Sequence, residues 1–189
     1  MKKILLLALM ITSLNYAQDK AVDPVKRILE QKNTISVGFQ LSEPTLIGFT
    51  FERKQEETLL GLNYSEIYGL QYGGISVTNG LRDVIGNGFV GEVALRFYLK
   101  KGNWKGFYTQ TGVEGGTIKF SDYRYSGNYQ YFSIANPEIG FKWQVSKGFV
   151  INPSIGCMWK IEYKGTGDVD NNIYNNFVPK FGLKMGYSF

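Results

Sequence analysis

The chain has 189 residues, with 21 basic and 16 acidic side chains, 23 Gly, 5 Pro, one Cys and no His. One domain fits that length. The lone Cys157 excludes an intrachain disulfide framework, and the mild positive charge without a basic cluster argues against a nucleic-acid partner.

Residues 1–17 read as a secretory signal peptide. Lys2 and Lys3 form a basic start, Ile4 to Ile11 is apolar, and Asn15-Tyr16-Ala17 offers a small residue before Gln18. The apolar stretch is too short to span a bilayer as a helix. Removing Lys2 and Lys3 leaves 19 basic against 16 acidic residues. Residues 18–32 are expected to form a periplasmic segment. There Asp23-Pro24 suits a helix start, with Val25, Ile28 and Leu29 on one face.

From Ile35 the period becomes two. Ile35, Val37, Phe39 and Leu41 alternate with Ser36, Gly38 and Gln40. A tight turn at 42–44 leads to Ile47, Phe49 and Phe51, and the charged run 52–57 is expected to close that hairpin. Leu60, Leu62 and Tyr64 form a third strand. Residues 68–88 are Gly-rich and are expected to form a long loop, with Gly73-Gly74 and Gly86-Asn87-Gly88 as turns.

Further strands are expected over Phe89–Leu99, Phe107–Val113, Glu138–Val145, Phe149–Ile161 and Phe177–Phe189. They are joined by short turns at 100–105 and 146–148 and by longer loops at 121–130 and 164–176. Short turns at one end and long loops at the other suit a membrane barrel.

The two faces differ in content. One carries Ile, Val, Leu, Phe, Trp and Thr; Phe141 is expected on it near mid-strand, and Cys157 as a small apolar residue. The other is Gly-lined and polar, with Glu52, Glu92, Arg96, Glu114, Glu138, Lys142, Lys160, Lys180 and Lys184. A soluble core would not tolerate nine charges, so the polar face is expected to line a lumen and the apolar face to meet lipid. Glu92, Glu114 and Glu138 are placed to neighbour Arg96, Lys142, Lys160 and Lys184, as an ion-pair plug or, in the competing reading, a narrow ion path.

The last strand sets Phe181, Leu183, Met185, Tyr187 and the terminal Phe189 on one face. This is similar to the C-terminal signal of bacterial outer-membrane proteins, which implies recognition by the barrel-assembly machinery. Residues 33–189 as a whole resemble the small OmpA-type outer-membrane β-barrel domains, in particular barrel proteins common in Bacteroidota, whose exported proteins often begin with Gln after the signal. The resemblance implies an all-β, single antiparallel eight-stranded transmembrane barrel in contact with outer-membrane lipid, but no single function.

Small outer-membrane barrels with deacylase, palmitoyltransferase, phospholipase or protease activity depend on a His, the natural proton carrier near neutral pH. This chain has none, and no nucleophile–base spacing replaces it, so no enzymatic activity, cofactor or resident metal is expected. Asp168, Asp170, Asn171 and Asn172 supply oxygens but lack the Gly and Glu of a calcium loop. Tyr123, Tyr125, Tyr129, Tyr131 and Phe132 are expected in the outer aromatic girdle, or as a surface for an extracellular ligand. Three functions compete: a structural or surface-interaction barrel, a narrow pore for small solutes or ions, and a soluble exported barrel that binds a hydrophobic ligand.

Overall fold

The computed structural model describes residues 31–79, 82–100, 104–123, 125–146, 148–169 and 176–189. The expected signal peptide, residues 18–30 of the periplasmic segment, and Asp170, Asn171 and Asn172 lie outside the described residues.

Ten strand segments run antiparallel: β1 Asn33–Leu41, β2 Thr45–Leu59, β3 Leu62–Asn79, β4 Arg82–Tyr98, β5 Gly106–Asp122, β6 Tyr125–Ser133, β7 Glu138–Gln144, β8 Phe149–Trp159, β9 Ile161–Gly167 and β10 Phe177–Ser188. They make eight staves. β6 pairs with the outer half of β5 and β7 with its other half, so these two segments form one interrupted strand. Likewise β8 pairs with β7 and β9 with β6, on either side of Lys160.

The ring closes where β10 pairs with β1, Thr34 opposite Ser188 and Leu41 opposite Phe181. Asn33 and Phe189 exchange two backbone hydrogen bonds of 2.9 Å at the seam. No sheet edge is left at that seam, which is the condition for a β-structure to lie in lipid.

Three of the expected connections are strand instead. The segment 68–88 is a continuous ladder of β3 with β4, from Asn63 opposite Tyr98 to Asn79 opposite Arg82. Gly73, Gly74, Gly86 and Gly88 therefore sit inside strands. At Gly86 the reason is close approach, since an added Cβ would lie 2.6 Å from the Phe120 ring. The Tyr-rich segment 121–130 is mostly β5 and β6, and the first part of 164–176 belongs to β9.

The charged run 52–57 also stays in strand, with a bulge between Lys54 and Thr58. The turn comes later, at Leu60 (φ 53°) and Gly61 (φ 75°) between the paired Leu59 and Leu62. Two successive positive φ angles match the twist of the flanking strands.

Alternation then sorts the side chains. Facing out are Phe49, Leu70, Phe89, Val93, Ile155, Phe181 and Leu183, all exposed. Facing in are small, polar and charged residues, with large ones set over glycines. Tyr108 is fully buried and lies over Gly140, where a Cβ would come within 2.3 Å of the phenol ring and hydroxyl. Gly140→Ala is therefore expected to destabilise the barrel by about 1–3 kcal/mol through overpacking. Denaturant unfolding in lipid vesicles measures this, and an unchanged midpoint would show that the ring moves aside freely.

Candidate functional site

The inward face forms two layers. In the layer nearer the start of β1 and the end of β10, Glu52 on β2 is the hub. Its carboxylate accepts hydrogen bonds from Lys142 Nζ on β7 at 2.6 Å, from Arg96 on β4 at 3.3 Å, from Ser65 at 2.9 Å and from the Tyr98 hydroxyl. Lys142 also donates to Thr34 Oγ1 at 3.1 Å, which ties β7 across the lumen to β1. The Arg96 guanidinium donates twice more, to Gln110 Oε1 at 3.1 and 2.9 Å, and lies 4.0 Å from the centre of the Tyr108 ring.

The network continues to a second carboxylate. Gln110 Nε2 donates to Glu92 Oε1 at 3.0 Å, and Lys184 Nζ lies 3.6 Å from Glu92 Oε2. Farther out, Glu114 accepts from Lys180 at 3.2 Å and from the Tyr131 hydroxyl at 2.9 Å. Each donor sits on a different strand from its acceptor, so each bond is a tie between staves.

All nine inward charges read from the sequence are buried, none more than 6 % exposed. Arg96 and Lys142 meet Glu52, Lys184 meets Glu92, and Lys180 meets Glu114. Lys160 lies 3.9 Å from Glu43, in the turn between β1 and β2, with the Tyr129 and Tyr131 rings 5.8 and 5.9 Å away. Glu138 is buried, and its Oε1 accepts no hydrogen bond among the described residues. Sequence reasoning placed Glu52 and Lys180 on the inner face but did not assign them partners. Tyr98, Tyr108 and Gln110 fall on the inner face by the same parity in β4 and β5, but the sequence reading gave them no part in the network.

The second layer is apolar and lies at the opposite, outer end. Leu46, Ile75, Val90, Ile118, Phe120, Tyr125, Tyr129, Tyr131 and Val169 form one buried cluster. This corrects the girdle reading of the tyrosines: Tyr125, Tyr129 and Tyr131 point inward, whereas Tyr123 and Phe132 are exposed. Their strands rise beyond the short β1–β2 turn, so side chains of the inner face pack against each other there instead of against the opposite wall.

The terminal-strand residues Phe181, Leu183, Met185, Tyr187 and Phe189 all face outward and are exposed. Cys157 is half-buried and unoxidised. Among the described residues no group of His, Cys, Asp and Glu has the arrangement of a metal site, and no helix is long and apolar enough to cross a membrane.

No family model matches the chain, and no curated protein matches it in sequence. Solved structures do match. The N-terminal β-barrel domain of Pseudomonas aeruginosa OprF is 18% identical with a TM-score of 0.54, over 84% of this chain and 98% of that one. Ail, the attachment invasion locus protein of Yersinia pestis, in complex with the heparin analogue sucrose octasulfate, is 18% identical with a TM-score of 0.49, over 83% of this chain and 97% of that one. At this identity the likeness to OprF shows a shared fold, the antiparallel β-barrel, here of eight staves.

Proposed function

We propose that this chain is a bacterial outer-membrane barrel, closed across its lumen, whose projecting hairpins present a surface to extracellular partners. The observation that carries this is the division of its side chains: a charged, mutually paired interior inside an apolar exterior. A soluble barrel needs the reverse, because a contiguous apolar outer wall in water drives association. The wall residues are the kind that lipid-facing strands carry. The terminal strand, with Phe189 last on its outward face, is the segment that the assembly machinery would read.

The closed interior rests on both layers. An eight-stranded barrel is only wide enough for side chains or one small ligand, and here ion pairs fill one half and aromatic rings the other. The role is structural and interactive, with no catalytic step. The hairpins β3–β4 and β5–β6 and the β9 end, all at the outer mouth, are the surface for an extracellular ligand.

Reconstituted in a planar bilayer, the full chain is expected to show no stable conductance above background. Reproducible, ion-selective openings that vanish in Arg96→Ala would defeat the closed reading. They would promote the narrow-pore alternative, which one observation favours: Glu138 Oε1 and Lys160 Nζ are buried without a hydrogen bond among the described residues. Fractionation with heat-dependent gel mobility tests the location, and a heat-insensitive soluble protein would overturn it.

A further inference from the structure

At the end of the barrel where Asn33 meets Phe189, the outward positions are mainly aromatic. Phe97, Phe107, Phe141, Phe149, Tyr187 and Phe189 mark this rim on β4, β5, β7, β8 and β10. On β3 the rim continues with Tyr64, opposite Phe97, and on β2 it is interrupted. There the outward residue is Arg53, whose cross-strand partner is Glu66, the next outward position of β3 after Tyr64. Arg53 stands opposite Asn33, the residue bonded to Phe189, so the break lies at rim level.

The two charges are not spent on each other. No ion pair joins Arg53 to Glu66 or to another carboxylate among the described residues, and Arg53 is exposed. Glu66 is held in place instead by the Tyr68 hydroxyl, which donates to its Oε2 at 3.1 Å. An arginine on the lipid face is costly at the midplane and cheap at the interface, which places this pair among headgroups.

We infer that Arg53, Glu66 and Tyr68 form a site for a zwitterionic aminophospholipid headgroup, one that carries a phosphate and a primary ammonium. The inference rests on the outer-membrane reading. The guanidinium takes the phosphate with two parallel N–H donors. The ammonium offers three N–H donors to the Glu66 carboxylate, directly across the ladder from Arg53. An anionic headgroup without an amine satisfies Arg53 but meets the Glu66 charge. A quaternary ammonium has no N–H to donate. The site therefore selects by charge pattern as well as by attraction.

The test uses the full chain inserted into vesicles of equal parts phosphatidylethanolamine, phosphatidylglycerol and phosphatidylcholine. The protein is then extracted in mild detergent and its retained lipids are weighed by native mass spectrometry. Phosphatidylethanolamine is expected about threefold above its share, the scale an exposed charge pair supplies. Arg53→Gln returns it to its share, and Glu66→Gln shifts the preference to phosphatidylglycerol. Both positions are on the outer surface, and unchanged heat-dependent gel mobility confirms that each variant folds. A wild type that inserts but keeps the three lipids in their mixing ratio overturns the site alone, as does a Glu66→Gln variant with wild-type preference. A chain that inserts into no vesicle overturns the membrane reading and the site with it.

Discussion

Leu183→Arg is expected to destabilise the barrel in lipid vesicles by about 2 to 4 kcal/mol, the cost of a cation at the midplane of a lipid-facing wall. Leu183 is mid-strand in β10 and exposed, between Phe39 on β1 and Pro153 on β8. The sequence reading set Phe141 near mid-strand, and it is central in β7; but β7 ends the stave that begins with β6, so Phe141 lies three residues from that stave's end and packs edge-on against Phe107 at 4.9 Å, at the rim. Phe141→Arg should therefore cost less than Leu183→Arg, because the charge reaches headgroups. The inward neighbour gives the contrast: Lys142→Arg keeps its charge next to Glu52 and should be the mildest of the three. Denaturant unfolding of all three in vesicles decides the matter. If Lys142→Arg is the most damaging, or the wild type folds stably in buffer without lipid, the outward face does not meet lipid.

Glu52→Gln is expected to cost about 3–5 kcal/mol, because it leaves Arg96 and Lys142 buried without their shared carboxylate. Arg96 retains two hydrogen bonds to Gln110, whereas Lys142 retains one, to Thr34, among the described residues. Adding Lys142→Met to Glu52→Gln should accordingly recover part of the loss. Glu56→Gln serves as the comparison. It breaks an ion pair between Lys32 and the exposed end of β2, where water and salt screen the charges and such pairs contribute little. Equal midpoints for Glu52→Gln and Glu56→Gln would mean that the buried pairs do not hold the lumen together.

On the outer-membrane reading, how far the sequence could be read follows from where the bilayer imposes its pattern. Between the rims every second residue must be apolar, so parity separated Phe181 and Leu183 from Lys180 and Lys184 without any structure. Beyond the rims that demand lapses. The outward residues Ser76, Thr78, Asn87 and Lys119 are polar or charged, and alternation fades while the backbone ladder continues. For that reason the segments 68–88 and 121–130 resembled loops. The tyrosines of β6 were misplaced for the same reason, since polar residues on both sides of Tyr129 hide the direction in which it points.

Between the rims the sequence by itself determined which side chains face in and which face out, because a strand's period of two leaves no other choice once one side is claimed by apolar surroundings. Partner choice was decided only in three dimensions. Glu52 and Lys142 are 90 positions apart, and no local rule relates them. They meet because the seam of β1 with β10 closes the sheet at one register, and that register brings β2 and β7 to opposite walls of a lumen narrow enough for one lysine to cross. The apolar layer at the outer mouth arises in the same way, from strands of unequal length whose inner faces converge above a short hairpin.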